Sequence, residues 1–307
     1  MIAVERLNHY VINVPAEQST TIDMPEEQLS TVVEPGASNS TELVELGAAG
    51  SKRTPAWPVE GTVSFENFVM SYRPGLPTVL RGITLHIRGQ EKVGVCGRTG
   101  AGKSSLIVAL LRICEGSSGR ILIDGLDIRG VPLRKLRSHI TLIPQEPFLF
   151  STDIRRNLDP FDEHSDEEVW DVLKAVSLES QVREFEGQLQ HKLTDNGGNL
   201  SQGTRQLICM GRALLRHSKI IIMDEATASV DSSTDNAIQR MIVSNFSYAT
   251  VLTIAHRINT IMNSDRVAVL DQGLVVEYDS PTALLQKGDG HFASLVSQMN
   301  ADESQSH

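Results

Sequence analysis

Residues 97–104, GRTGAGKS, contain the residue types that hold phosphate, at a spacing suited to that task. The pattern Gly-x-x-x-x-Gly-Lys-Ser is met by Gly97, Gly102, Lys103 and Ser104. Successive backbone N–H groups in such a loop can surround the terminal phosphates of a nucleotide, and the positive N-terminal end of a following helix attracts the same charge. Lys103 would reach the outer phosphates, and the Ser104 hydroxyl would bind Mg²⁺. A glycine-rich turn that matches by chance is the alternative, but the strand KVGVCG before the loop and the helix KSSLIVALLRIC after it favour phosphate binding.

Two acidic residues end a second apolar run, IIIMDE at residues 220–225. Such an uninterrupted apolar run is typical of a buried strand in a parallel sheet. Asp224 at the strand end can hold Mg²⁺ through water, whereas Glu225 points differently and can orient or deprotonate an attacking water. Taken alone, the pair fits equally well a strand that ends in a solvated acidic turn. The phosphate loop upstream favours nucleotide hydrolysis.

Composition limits the classes of protein to which the chain can belong. Its 307 residues are 40% apolar, enough for a substantial core in one large domain or two smaller ones. The formal net charge of −10 argues against nucleic acid as a partner. No run approaches the ~18 apolar residues that cross a bilayer, and the N-terminus lacks a secretory signal, so we expect a soluble chain. Cys96, Cys114 and Cys209 lie far apart in apolar segments, as expected of reduced packing residues in a cytosolic protein.

The sequence pattern changes several times along the chain. Residues 1–12 have apolar residues at helical spacing and are expected to end a helix. Residues 13–60 are rich in Ser, Thr, Glu, Pro and Gly, which predicts a flexible acidic linker. Residues 61–297 are expected to fold as one domain, with a helical block at about 151–217 in which SDEE predicts a capping box formed by Ser165 and Glu168. After the block, STDNAIQRMIVSNF and PTALLQKG are expected helices, and RVAVLDQGLVVEYD is expected to form a hairpin with Gly273 at the turn. Residues 298–307 are expected to be a disordered tail.

A third motif connects the first two. The segment NLSQGTRQL, which precedes IIIMDEATASVD by about twenty residues, resembles the signature motif of ATP-binding cassette (ABC) proteins. Tyr72 in MSYRPG resembles the aromatic residue that stacks on adenine in that family, and Gln145 in LIPQEPFLF resembles the glutamine that touches the metal. Residues 228–231, ASVD, resemble its D-loop, and His256 in TIAHR resembles the histidine that contacts the γ-phosphate. These motifs keep the family order over about residues 61–297.

The sequence between the motifs is similar to that of the second nucleotide-binding domain of subfamily C, the multidrug-resistance-associated branch. The similar segments are VERLNHY before a polar linker, LFSTDIRRNLDPF, SDEEVW and TVLTIAHRINTIM. Glu225 favours the second domain, because the first typically has Asp at that place in this branch. The resemblance implies that VERLNHY is the end of the last membrane helix and that the chain is a piece of a larger transporter.

The resemblance also implies a fold and a set of site residues. The fold is an α/β P-loop NTPase core with an N-terminal antiparallel β subdomain and an inserted α-helical subdomain. The cofactors are ATP and Mg²⁺, with Ser104, Gln145 and Asp224 at the metal. The catalytic residues are Glu225, His256 and Lys103. Ser201, Gln202 and Gly203 would contact the nucleotide of a facing domain. The expected nucleotide-binding residues are Tyr72, Gly97, Arg98, Thr99, Gly100, Ala101, Gly102, Lys103, Ser104, Ser105 and Gln145.

The implied function is an ATP-hydrolysing motor that drives export of organic anions, conjugates or drugs. Its partners would be transmembrane domains and a second nucleotide-binding domain, with no nucleic acid, and the chain would touch the membrane only through the transmembrane domains. It would lie at the cytoplasmic face of a plasma or organelle membrane. Two alternatives stay open: a nucleotide-sensing gating module of a channel-like subfamily C protein, and a soluble ABC ATPase without a transport role.

The sequence departs from the family pattern at the signature, where LSGGQ is the consensus. Ser201 can still cap a helix, and Gly203 still permits close approach to phosphate. Gln202 and Thr204 are the unusual positions, and Thr204 is shorter than the glutamine that in the family helps contact the opposite nucleotide. Gly198 stands where relatives usually have Glu. The alternatives are a weaker signature with weaker coupling to membrane helices, or neutral drift.

Overall fold

The structure is a computed structural model that describes residues 57–224, 242, 244–255 and 258–305. Within these residues, the strands form one four-stranded and one six-stranded sheet. The strands are β1 (Val63–Met70), β2 (Leu80–Ile87), β3 (Lys92–Gly97), β4 (Ser118–Ile123), β5 (Leu126–Asp127), β6 (Ile140–Ile143), β7 (Ile220–Asp224), β8 (Thr250–Ile254), β9 (Arg266–Asp271) and β10 (Leu274–Asp279). The helices are α1 (Lys103–Leu110), α2 (Leu133–Ser138), α3 (Ile154–Leu158), α4 (Asp166–Ala175), α5 (Glu179–Glu184), α6 (Gln202–Arg216), α7 (Ile258–Met262), α8 (Pro281–Gln286) and α9 (His291–Gln305). None of the described helices is long and apolar enough to cross a bilayer.

The smaller sheet confirms the expected N-terminal antiparallel subdomain. Its order is β2-β1-β4-β5, and every neighbouring pair is antiparallel. Val63 and Phe65 on β1 are buried while the residue between them is half-buried, the alternation that a sheet with one covered face requires. Tyr72 lies in the segment that joins β1 to β2 of this sheet.

The larger sheet is the α/β core. Its order is β10-β9-β3-β8-β7-β6, with β3, β6, β7, β8 and β9 parallel and β10 antiparallel to β9. The inner residues of β3 and β9 are continuously buried, as expected for strands covered on both faces. The carboxyl ends of the parallel strands share one edge, so the loop after β3 and Asp224 at the end of β7 lie at the same edge.

Alternate residues of β7 join two hydrophobic clusters. Ile220 and Ile222 pack in the cluster that includes α1 and the antiparallel sheet. Ile221 and Met223 pack with the helices of the block at 151–217. Because successive strand residues point to opposite faces, this one strand ties the inserted helical subdomain to the core.

The helical block is confirmed, including its sequence-predicted capping box. Ser165 caps α4 by accepting a hydrogen bond from Glu168 N, and the Glu168 side chain accepts from Ser165 N. The longest helix of the block, α6, buries residues along most of its length, among them Leu207, Ile208 and Met210. The signature segment therefore begins a helix that is anchored along its length.

Three boundaries differ from the sequence expectation. The helix expected through Cys114 ends at Leu110, because Arg112 adopts a left-handed φ of 47° that a helix cannot continue. The expected tail at 298–307 is helical as far as Gln305, as a continuation of α9 from the buried Phe292. Residues 57–60, assigned to the linker, bind the domain: Trp57 Nε1 donates to Ile123 O at 3.1 Å.

Several expected segments fall outside the described residues. They are the helix at 1–12, most of the linker at 13–60 and most of the helix STDNAIQRMIVSNF. The strands and turn of RVAVLDQGLVVEYD and the helix in PTALLQKG are present as β9, β10 and α8.

Candidate nucleotide-binding site

The glycine loop lies between β3 and α1, as its motif requires. Gly97 has a φ of +150°, and a Cβ placed on it would stand 2.2 Å from Leu270 O. No side chain fits there without moving the backbone of β9. Gly102 precedes α1 with a φ of 106°, so the chain turns sharply into the helix and directs the N-terminal end of α1 at the loop. Glycines in such conformations allow a loop to bring backbone N–H groups to one surface.

Hydrogen bonds attach the loop to the turn between β9 and β10. Gly273 N donates to Ala101 O at 3.0 Å, and Arg81 N donates to Gly273 O at 2.8 Å. Within the loop, Ala101 N donates to Arg98 O at 3.0 Å. The loop is thus held from both sheets, because Arg81 lies on β2 of the antiparallel sheet. Arg98, Thr99 and Gly100 are exposed at its tip.

Lys103 is the first residue of α1 and only 7% exposed. Its Nζ donates to Gly97 O at 2.8 Å and to Arg98 O at 3.2 Å, which keeps the ammonium against the loop. Ser104 is exposed and Ser105 is buried. One positive charge, a helix N-terminus and an exposed hydroxyl therefore meet at this loop, a combination that suits a polyphosphate.

Tyr72 is attached to the same helix end. Its Oη and Ser105 Oγ are 2.8 Å apart, although the two residues are 33 positions apart in the sequence. Tyr72 is 45% exposed, so part of this aromatic residue is accessible to a ligand. An aromatic platform and the phosphate-binding loop are thus adjacent.

The predicted metal ligands are oxygen donors at the carboxyl edge of the larger sheet. Asp224 ends β7 opposite Ile254 of β8, Gln145 follows β6, and Ser104 lies in the first turn of α1. In the described part of the chain, no three His, Cys, Asp or Glu side chains form a metal-binding group. One carboxylate with hydroxyl and amide oxygens fits Mg²⁺, which keeps water and phosphate ligands, and does not fit a zinc site.

The signature residues start α6. Ser201 is the N-cap, and its Oγ accepts a hydrogen bond from Thr204 N at 3.1 Å. Gln202 and Gly203 are half-buried in the first turn. Ser201 is an exposed residue at the positive end of a 15-residue helix, and its Oγ lies 2.8 Å from Thr204 Oγ1. Such a helix end can bind phosphate on another molecule.

Comparison with known proteins decides the family. The family described as "ABC transporter" matches residues 80–228, from β2 across the glycine loop and signature to the acidic strand end. The chain is 55% identical to human ATP-binding cassette sub-family C member 2, over 76% of this chain and 15% of that protein. It is 46% identical to ABC transporter C family member 5 of Dictyostelium discoideum, over 99% of this chain and 20% of that protein.

A solved structure agrees with this result. A bacterial Atm1-family ABC exporter with ATP bound superposes with a TM-score of 0.74 at 31% identity, over 83% of this chain and 44% of that one. The chain is an ABC-type ATPase domain. The chain spans only 15% to 20% of the length of the sub-family C relatives named above.

Some site residues of the ABC-type domain lie outside the described residues. They are Glu225, His256 and the D-loop segment 228–231. Their roles remain predictions from the sequence. The described residues bring together Tyr72, the loop from Gly97 to Ser105, and the sheet edge that carries Asp224.

Two thiols of the ABC-type domain are packing residues, as the sequence indicated. Burial raises the pKa of Cys96 to about 12, so this thiol directly before the loop stays protonated at neutral pH. Burial also raises the pKa of Cys209 on α6. Both are therefore poor nucleophiles and poor metal ligands.

Two contacts of the ABC-type domain were not expected from the sequence. Gly273 was predicted only as a hairpin turn, yet it holds the glycine loop through Ala101. Gln181 on α5 was not singled out, yet its Oε1 lies 3.4 Å from Thr204 Oγ1. Each contact joins segments far apart in the chain, and no local pattern in the sequence reports it.

Proposed function

We propose that the chain is the motor domain of a subfamily C exporter, which binds ATP with Mg²⁺ and couples its hydrolysis to transport of organic anions, conjugates or drugs. The observation that carries the proposal is the hydrogen bond between Tyr72 and Ser105, which lies in the first turn of the helix that follows the glycine loop. An aromatic residue that could stack on adenine, next to a loop suited to phosphate, favours an adenine nucleotide.

Each residue around the nucleotide has a distinct task in this proposal. The loop amides and Lys103 bear the negative charge of the β- and γ-phosphates, and Tyr72 stacks on adenine. Ser104, Gln145 and Asp224 would hold Mg²⁺, which supplies neutralisation of phosphate charge. Glu225 orients or deprotonates the attacking water. His256 stabilises the γ-phosphate.

The site becomes complete only with a second domain. Ser201, Gln202 and Gly203 begin α6 in the helical block, where they contact the nucleotide of a facing cassette. Two such domains arranged head to tail enclose two nucleotides between them. Hydrolysis then removes the γ-phosphate that holds the two halves together.

Two exposed phenylalanines directly before the helical block form a surface that suits a membrane-domain partner. Phe148 and Phe150 are 55% and 50% exposed, and their ring centroids lie 5.2 Å apart, so they form one apolar patch. Arg155 is not free for such a partner, because it forms ion pairs with Asp159 at 3.0 Å and Asp166 at 2.7 Å inside the block. This surface, at the cytoplasmic face of the membrane, is where we place contact with transmembrane helices.

The alternative is a gating module, in which nucleotide occupancy sets a conformation without pumping. ATP-driven flux of an organic anion in reconstituted vesicles of the parent protein separates the two functions. Flux that requires hydrolysable ATP supports the motor. An ion conductance that a non-hydrolysable ATP analogue also activates supports the gating module.

The other alternative, a soluble cassette, is tested by cell fractionation. An immunoblot band of 33.6 kDa free of membranes would contradict both membrane functions.

Loss of the Tyr72 ring is expected to weaken nucleotide binding without altering the chemical step. In Tyr72→Ala, ATP affinity should fall about 10-fold, because base stacking on an aromatic ring is worth a few kcal/mol at most. The catalytic rate at saturating ATP should stay within about two-fold of the original. Titration calorimetry and phosphate-release kinetics measure the two quantities.

Tyr72→Phe is the matched control, since it keeps the ring and removes only the hydrogen bond to Ser105. We expect its ATP affinity to fall no more than about five-fold, because one hydrogen bond has a modest net strength of ~1 kcal/mol. Equal losses in the Ala and Phe variants would assign the effect to the hydroxyl and contradict stacking.

A further inference from the structure

Thr204, at the unusual fifth position of the signature, is buried beside α5. The residue is only 7% exposed, so little of it is available to a facing nucleotide. Its Oγ1 lies 2.8 Å from Ser201 Oγ and 3.4 Å from Gln181 Oε1 on α5. Its backbone N–H also donates to Ser201 Oγ, at 3.1 Å.

With Gln181 Oε1 facing Thr204, the network has two arrangements, because each hydroxyl has one hydrogen to donate. In the first, the Thr204 hydroxyl donates to Gln181 Oε1, and the Ser201 hydroxyl donates to Thr204 Oγ1. In the second, the Thr204 hydroxyl donates to Ser201 Oγ. That oxygen then accepts both the N–H and the O–H of Thr204, and its own hydrogen is available to an outside acceptor.

We propose that Thr204 is a positioning residue that directs the Ser201 hydroxyl at the phosphate of a nucleotide on the facing domain. This inference rests on the proposed function, in which two cassettes share each nucleotide. An anion near Ser201 favours the second arrangement, because it gives the Ser201 hydrogen an acceptor at the positive end of α6. Gln181 accepts the Thr204 hydrogen bond when no phosphate is present.

The network compensates chemically for the glutamine that ends the family consensus LSGGQ and is replaced here by Thr204. A Ser201 oxygen that accepts two hydrogen bonds is a stronger donor through its own hydrogen, since hydrogen bonds in a chain polarise one another. It is also fixed in orientation, because both lone pairs are occupied. A phosphate held by one oriented donor does not require a second side chain from the fifth position.

The test measures association of the 307-residue chain with a second copy of itself in Mg²⁺ and ATP, by sedimentation. We expect the dissociation constant to rise at least about 10-fold in Ser201→Ala, which loses a hydrogen bond to a charged phosphate at both shared sites. It should rise at least about 5-fold in Thr204→Val, which loses a neutral hydrogen bond at both. Thr204→Ser should restore association to within two-fold. Association in ADP should not change in any of these variants. A merely structural effect of Thr204→Val would change association in ADP as well.

The double variant and a control separate the possible outcomes. Ser201→Ala with Thr204→Val should be no weaker than Ser201→Ala alone, because Thr204 acts through Ser201. Gln181→Ala should leave association unchanged or slightly tighter, since it removes only the competing acceptor. If Ser201→Ala weakens association and Thr204→Val does not, the inference fails and the proposed function stands. If Ser201→Ala has no effect, or the original chain does not associate in ATP, the shared site fails and this inference with it.

Discussion

In the Glu225→Gln variant, ATP turnover is expected to fall by about 100-fold or more, because a general base contributes that much to the transfer of a proton. An amide of the same shape cannot accept the proton of the attacking water. ATP binding should stay near its original value, since Tyr72, Lys103 and the loop amides are unaltered. Phosphate release and equilibrium titration of ATP measure the two effects separately.

A charge-matched control excludes a general effect of losing one acid. Glu167 is exposed in the first turn of α4, in the helical block rather than at the sheet edge, and Glu167→Gln removes the same charge. Its turnover should equal that of the original chain. If Glu225→Gln hydrolyses ATP at a near-normal rate, the base lies elsewhere and the assignment of the acidic pair must be revised.

The parts of this domain that the sequence predicts are those with local causes. The order strand, glycine loop and helix follows from Gly97 to Ser104 and the apolar runs beside them, and the structure has the same order. The capping box at Ser165 is likewise complete within four residues. Such features depend on short-range sterics and hydrogen bonds that a sequence motif specifies directly.

The parts that it does not predict depend on contacts between distant segments. The contact of Thr204 with Gln181 depends on the position of α5, 23 residues earlier in the chain. The early end of α1 follows from Arg112, whose guanidinium donates to Ile128 O and Val131 O, each at 2.9 Å. Helical spacing alone extends this helix to Cys114, because the spacing contains no information about the carbonyl groups that Arg112 meets.

The attachment of the glycine loop to Gly273 makes that distant glycine as important as the glycines of the loop. In Gly273→Ala, the new Cβ would lie 2.1 Å from Val79 O, at a φ of +80°. The turn must move, and with it the hydrogen bonds from Gly273 N to Ala101 O and from Arg81 N to Gly273 O. We expect ATP affinity to fall at least 10-fold and the free energy of unfolding to fall by ~3 kcal/mol or more.

Gly125→Ala is the control that isolates the clash from the backbone conformation. Gly125 has a φ of +77° in the turn between β4 and β5, and a Cβ there meets no atom within 4 Å. Both variants lose ~1–2 kcal/mol from the left-handed conformation, but only Gly273→Ala displaces the anchor of the loop. Urea unfolding and ATP titration of both variants should therefore show a similar small stability loss in each, with a large further loss and weak ATP binding in Gly273→Ala alone. Equal behaviour of the two would mean that the loop keeps its shape without the turn, because the hydrogen bonds inside the loop and the packing of α1 suffice.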